Sequence, residues 1–261
     1  MISVALLHLD LCNGPDTVNG PKLLAAIDRA GDMGADWVVT PETALHGYFW
    51  SINGDPSDIH QQSQDFLTPF AALAQKHGMT VFLCAAERCH QTKRSFNTCF
   101  AISPQGKVLG QHRKIRGHGS AEAWATRGET RKAIATAPMT AGVLICADSW
   151  YSENALAMRD DGADVIMIPA AWPPGNCGPG DCWEKRSAET GLPVWVCNQT
   201  GEHPRLAFQA ATSVVVQDGK TALTYQGADE AILLFDWDVQ QNRLVQPDWT
   251  VEHFKMADLQ V

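Results

Sequence analysis

The chain has no long apolar run. Nowhere in its 261 residues does an uninterrupted hydrophobic stretch approach the ~18 to 20 residues that a membrane-spanning helix requires, so no membrane partner is expected. The apolar opening MISVALLHLDL also lacks a basic n-region and a small-residue cleavage site, and it carries His8 and Asp10. It reads as a first β-strand, not a signal peptide. Positive charge is in deficit: Lys and Arg number 20 against 29 Asp and Glu, and the net charge of −9 disfavours a sequence-independent grip on nucleic acid or anionic lipid. A small molecule is the expected partner. Low-complexity tracts, short-period repeats and Pro/Gly/Ser-rich linkers are missing too, which leaves residues 1–261 as one expected domain. Cysteine is not scarce, at eight residues, but over this length they do not make the dense disulfide framework of a small secreted domain, and the cytoplasm is the expected compartment. The close pairs Cys84/Cys89 and Cys177/Cys182 have no matching histidine set, so no metal site is expected.

What is present is an alternation of β-rich runs and helical patterns. Strands are expected at 2–11, 36–40, 79–88, 142–147, 164–170 and 193–199, with three more near 207–217, 220–226 and 230–237. Helices are expected at 20–35, 63–78, 151–163 and 181–191, the second capped by Ser63 and ended by Gly78. The run SFNTCFAISPQGKVLGQHRK (95–114) is two strands about the turn SPQG, so the sheet is mixed. Many strands with few helices point to an α/β protein in which two sheets pack together with helices outside.

In α/β sheets, ligands bind beyond the carboxyl ends of strands, and several reactive or polar residues fall there. Glu42 follows DWVVTP, Lys114 ends the hairpin, Cys146 ends GVLIC and Asn198 ends PVWVC. Taken singly, each has an ordinary explanation: a buried thiol behaves as a small hydrophobe, a glutamate can cap a helix, and a basic run is a solvated face. Together they make chemistry. A thiol needs a base or a neighbouring cation to become a nucleophile at neutral pH, and Glu42 and Lys114 supply one of each. Lys114 and the N–H of Ala147, just after the cysteine, would also stabilise the oxyanion formed when sulfur attacks a carbonyl.

With these blocks in order, the sequence resembles the nitrilase superfamily of carbon–nitrogen hydrolases, whose sites use a Glu–Lys–Cys triad. The glutamate block is WVVTPETALHGY, the lysine block GQHRK and the cysteine block GVLICADSWYSENALAMRDDGADVIMIPAAW. Their spacings, 114 − 42 = 72 and 146 − 114 = 32 residues, are ordinary for that family. The resemblance implies a fourth catalytic residue, Glu122 in AEAWATRG, with Glu129 as the competing candidate. It also implies that CWEKRSAETGLPVWVCNQTG helps to form the pocket wall. The implied fold is a four-layer α-β-β-α sandwich of two mixed sheets. The implied assembly is a homodimer or a larger even-numbered homo-oligomer, and no metal or organic cofactor is needed.

The implied reaction is hydrolysis of a small amide through a thioester on Cys146, with release of ammonia or an amine. A nitrilase, an N-carbamoyl amidohydrolase and a catalytically silent ligand-binding relative are the alternatives. Cys146-Ala147-Asp148 in place of the Cys-Trp-Glu of nitrilases favours the amide. Tyr48, Trp50, Trp150, Tyr151, Trp172 and Trp183 are the aromatic candidates for the pocket. Residues 149–151 hold no arginine to grip a carboxylate, and Glu42, Glu122 and Lys114 sum formally to −1, so a neutral or aromatic amide is expected. Arg116, Arg127 and Arg186 are the cations that would reverse this. One of the eight cysteines is expected to outpace the rest toward thiol reagents.

Overall fold

The computed structural model describes residues 1–11, 14–48, 65–175, 177–202 and 206–256. Cys12, Trp50 and the expected cap Ser63 lie outside them.

The first sheet is built from β1 (Ile2–His8), β2 (Trp37–Val39), β3 (Thr80–Arg88), β4 (Ser95–Ile102) and β5 (Val108–Arg113). Helix α1 (Asp16–Asp32) connects β1 to β2, and α2 (Thr68–His77) precedes β3. The second sheet takes β6 (Ile134–Ala135), β7 (Thr140–Val143), β8 (Val165–Ala170), β9 (Val194–Asn198), β10 (Thr212–Gln217) and β11 (Lys220–Gln226). Its helices are α3 (Ser152–Asp160) and α4 (Cys182–Thr190). The chain then returns to the first sheet with β12 (Ala231–Asp238), β13 (Arg243–Leu244) and β14 (Thr250–His253).

The strand orders are β13-β12-β1-β2-β3-β4-β5, with β14 also on β12, and β11-β10-β9-β8-β7-β6. Both sheets are mixed: β1-β2-β3 and β7-β8-β9 run parallel, and their outer neighbours run antiparallel. The period-two alternation of a strand explains why each sheet is covered twice. Val4 and Leu6 of β1, Trp37 and Val39 of β2, and Phe82 and Cys84 of β3 enter the core between the sheets. Their neighbours Ala5, Leu7, Val38, Val81 and Leu83 pack outward with Leu23, Ile27, Phe70 and Ala74 of α1 and α2. On the other side α3 lies against β7, and α4 against β9 and β10. The result is the expected four-layer α-β-β-α sandwich.

Trp195 centres the inter-sheet core, with ring centroids 5.1 Å from Trp237, 5.2 Å from Phe235 and 6.0 Å from Trp37. Such edge-on pairs add ~0.5–1.5 kcal/mol each beyond the area they bury. Gly142 lets α3 approach β7, since a Cβ there would meet Met158 Cβ at 2.8 Å.

The element boundaries differ from expectation in several places. Helix α2 begins at Thr68 with Leu67 as its cap, not at residue 63, and β10 begins at Thr212, after a 3-10 turn at Phe208–Ala210. Helix α1 begins at Asp16, four residues before the expected Gly20, because Asn19 is drawn inside: its Nδ2 donates to the carbonyls of Leu11 and Ala44 at 3.0 and 3.1 Å. Strand β7 stops at Val143, so Cys146 lies beyond the strand in a 3-10 turn. The short strands β6, β13 and β14 have no counterpart among the expected elements. They are held by pairing to β7 and β12, not by an alternating pattern of their own.

Candidate active site

Three loops at the carboxyl ends of parallel or hairpin strands converge. The first is the Glu42 turn, pinned to β3: Thr40 N donates to Phe82 O, Leu45 N to Cys84 O, and Ala86 N to His46 Nδ1 at 3.1 Å. Burial lowers the His46 pKa to about 4, so its ring stays neutral and can accept that hydrogen bond. The second loop carries Lys114, whose backbone N–H donates to Asn97 O at 2.8 Å. The third is the turn Cys146–Trp150, in which Cys146 has φ +46°. A non-glycine residue in this region costs on the order of 1–3 kcal/mol, and such strain at a nucleophile turn lifts the side chain clear of the sheet.

Asp148 ties the second loop to the third. Its Oδ1 accepts from the N–H groups of Ile115 (2.9 Å) and Arg116 (2.6 Å). Its Oδ2 accepts from Ile145 N (3.2 Å) and pairs with His112 Nε2 (2.8 Å). Separately, Asn154 Nδ2 donates to the backbone carbonyl of Asp148 at 2.8 Å. A carboxylate with this many donors is a rigid joint, and it fixes Lys114 relative to Cys146.

Lys114 Nζ donates to Glu42 Oε1 at 2.5 Å and to Glu122 Oε1 at 2.6 Å, with all three side chains buried. Asn97 Nδ2 gives Glu42 Oε1 a second donor at 2.8 Å, and Ala171 N–H faces Glu42 Oε2 at 3.2 Å. The Cys146 thiol lies near the Glu42 carboxylate and the Ala171 N–H, both of which act on its pKa. The structure therefore brings Glu42, Lys114, Glu122 and Cys146 together. Glu129, the competitor of Glu122, is exposed and makes none of these contacts.

The charges follow from the packing. Burial raises the Glu42 pKa; Lys114 pulls it down, Glu122 pushes it up, and the net direction is upward. Burial opposes the Lys114 ammonium, but the carboxylates of Glu42 and Glu122 hold it well above the usual lysine value. Burial and then Glu42 push the Cys146 thiol well above its usual value, against the pull of Lys114. The lysine thus does not make a resident thiolate, as the sequence suggested it could. The resting sulfur keeps its proton, and Glu42 is the group placed to receive it.

A cavity of about 650 Å³ opens above the sulfur. Tyr48, Cys146, Ala147, Trp150, Tyr151 and Trp172 all line it. Trp172 is held at both ends: its backbone N–H and O bond the Asn198 side chain at 3.0 and 2.9 Å, and its Nε1 donates to Cys177 O at 2.7 Å. Trp183 does not line the cavity; it backs Trp172 edge-on, with centroids 6.2 Å apart. Residue type gave no signal for the Ala171 backbone N–H. Of the three arginines considered from the sequence, Arg116 joins the cavity wall, and so does His118.

The sequence model of the carbon–nitrogen hydrolase family matches residues 4–245. The chain belongs to the carbon–nitrogen hydrolases. It is 26% identical over 274 residues to the glutamine-dependent NAD(+) synthetase of Xylella fastidiosa, a match that takes in 96% of this chain and 47% of the synthetase. The chain thus spans about half the length of such curated relatives. To the 2-oxoglutaramate amidase of Bacillus subtilis it is 24% identical over 251 residues, 94% of this chain and 93% of the amidase. In fold it is similar to the NitN amidase of Nesterenkonia sp. AN1, with a TM-score of 0.79, 20% identity and coverage of 93% and 95% of the two chains. One solved variant of that amidase carries the acetamide moiety of fluoroacetamide on its active-site cysteine. No helix among the described residues is long and apolar enough to cross a membrane.

Proposed function

We propose that the chain hydrolyses small amides through a thioester on Cys146. The observation that carries this reading is the buried Glu42–Lys114–Glu122 cluster set against a protonated thiol at the base of an open cavity. Glu42 Oε1 is occupied by Lys114 and Asn97, which leaves Oε2 to take the thiol proton as sulfur attacks the amide carbon. The proton passes to the leaving nitrogen and ammonia or an amine departs. Glu42 then removes a proton from water, which attacks the thioester and returns the free enzyme. Lys114 and the Ala147 N–H hold the oxyanion in both steps, while Glu122 keeps Lys114 in place. Amidases among the similar proteins agree with an amide substrate, and Cys146-Ala147-Asp148 in place of Cys-Trp-Glu favours it over a nitrile. The reading places the whole reaction in one hydrolase domain, assembled as a homodimer or a larger even-numbered oligomer. A screen of primary amides with ammonia detection, run beside Cys146→Ser, tests it; ammonia release that survives the substitution refutes it.

Glu42 must be ionised to accept the proton, and its pKa is raised. The acid limb of kcat/KM is therefore expected above the ordinary glutamate range. Glu122→Gln removes a like charge that pushes Glu42 up, so the limb should move to lower pH. A limb that stays put or rises would contradict the assignment.

Thiol labelling also has an expected order, and it differs from the one the sequence suggested. Cys89 is only half-buried, and hydrogen bonds from the Thr92 side chain and backbone lower its pKa to about 7; Cys177 is exposed. N-ethylmaleimide at neutral pH should modify these two before Cys146. Fluoroacetamide, which presents an amide to the site, should favour Cys146 instead. Peptide mapping by mass spectrometry reads both orders, and preferential fluoroacetamide labelling of Cys89 would count against the site.

A further inference from the structure

One carboxylate oxygen of the buried cluster accepts no hydrogen bond. Glu42 uses Oε1 for Lys114 and Asn97 and Oε2 for the Ala171 N–H, and Glu122 uses Oε1 for Lys114, but Glu122 Oε2 is left without a donor. That side chain is only 1% exposed, so water does little to screen its charge. The cation that faces the free oxygen is Arg127, with Nη1 at 3.7 Å.

Two glycines and two backbone hydrogen bonds put Arg127 there. Thr126 N–H donates to Ser95 O at 2.7 Å and Gly128 N–H to Lys114 O at 2.8 Å, so the residue between them is tied on both sides to the hairpin that carries the catalytic lysine. Gly128 permits this approach, since a Cβ there would lie 2.0 Å from Arg113 O. The guanidinium then crosses Gly117, where a Cβ would meet Nη1 at 1.2 Å and Cζ at 2.1 Å. Gly117 lines the cavity and Arg127 does not. The arginine therefore lies behind the wall, on the side of the buried cluster.

We propose that Arg127 is a positioning residue of the reaction: its guanidinium pins the second oxygen of Glu122, and through Glu122 it fixes Lys114 where the oxyanion forms. The inference rests on the amidase reading. A glutamate carboxylate turns readily about its last bond, so one bonded oxygen does not set its plane. With Arg127 the cluster holds two carboxylates and two cations; without it, Lys114 alone must serve both Glu42 and Glu122 and is free to shift between them. A shift of about 1 Å in a catalytic group can cost on the order of 10²-fold in rate. The loss falls on the transition state, because the oxyanion does not exist in the bound amide.

The test uses the primary amide that the ammonia screen ranks first, in the parent, Arg127→Met and Arg127→Lys, each with and without Glu122→Gln. The Arg127 side chain is 42% exposed, so these variants should fold. Arg127→Met should lower kcat at least tenfold while KM moves less than threefold, and Arg127→Lys should stay within fivefold of the parent, since it restores the charge without the fork. In the Glu122→Gln background, Arg127→Met should change kcat less than twofold, because the carboxylate it acts through is gone. Denaturant midpoints give a second readout that needs no turnover and decide the matter where Glu122→Gln is too slow to assay: Arg127→Met should lower the midpoint of the parent and leave that of Glu122→Gln unchanged. A raised KM with kcat untouched, an Arg127→Lys no better than Arg127→Met, or effects of equal size with and without Glu122 overturns the proposal. If the parent hydrolyses no amide while the midpoints still depend on Glu122 in this way, the Arg127–Glu122 pair stands and the amidase reading fails.

Discussion

Cys146→Ala is expected to fold like the parent and to release no ammonia from any amide. Cys177 also lines the cavity, but among the described residues there the Cys146 thiol is the one with Glu42 beside it as base. Deleting the nucleophile of a covalent hydrolase typically costs ~10⁶-fold in kcat. Cys146→Ser should retain at most a trace, because a hydroxyl of much higher pKa must lose its proton to the same carboxylate. Folding should survive, since alanine fits the left-handed turn no worse than cysteine and the Ser149 Oγ to Cys146 O hydrogen bond uses the backbone. Ammonia assays with a circular-dichroism melt of each variant check both halves. An alanine variant with more than a few per cent of parental turnover would remove Cys146 from the mechanism.

Lys114→Met should be the most damaging single change to both activity and stability. It removes the oxyanion cation and leaves the buried carboxylates of Glu42 and Glu122 without the ammonium that holds them at 2.5 and 2.6 Å. Breaking a buried ion pair from one side costs ~3–5 kcal/mol, because the remaining charge stays desolvated and unpaired. The pH dependence has a definite sign. Lys114 pulls the Glu42 pKa down, so its loss raises an already raised value. A carboxyl whose folded pKa lies above its unfolded one favours folding below the unfolded pKa, and this contribution is lost as pH rises through the folded value. The stability deficit of Lys114→Met relative to the parent should therefore be larger near pH ~7 than near pH ~5. Glu42→Gln should fall mainly in kcat with a smaller loss of stability, since the amide can still fill the site. Denaturant melts at the two pH values, beside kcat and KM, test the pair; a raised KM with kcat untouched would exclude a transition-state role for either residue.

Much of the layer structure is written in single stretches of chain. The period-two pattern of β1, with Val4 and Leu6 facing the partner sheet and Ala5 and Leu7 facing the helices, is legible in the residues themselves because a strand must alternate. The end of α2 at Gly78, with φ +67°, is readable for an equally local reason, since glycine adopts the left-handed cap without a Cβ penalty. Local information fails where a segment gains its conformation from elsewhere. Strands β6 and β13 are two residues each and exist only as partners. The early start of α1 depends on carbonyls at Leu11 and Ala44.

The site divides along the same line. The sequence alone determined which reactive side chains exist and in what order: a glutamate after a buried strand, a lysine ending a hairpin and a cysteine before a polar turn, while the resemblance left Glu122 and Glu129 both open. Those are properties of residue type and short-range pattern. Only the tertiary structure decided that the thiol is protonated at rest, because that depends on how completely neighbours 104 and 32 residues away (146 − 42 and 146 − 114) exclude water. It decided that Ala171 supplies an N–H to Glu42 from 129 positions along the chain, a donor that every residue but proline carries and that no composition reveals. It also decided which of three arginines faces the cavity. Charge is a property of the sequence, but a field at a point depends on distance and screening, and those are fixed only when the loops are folded against one another.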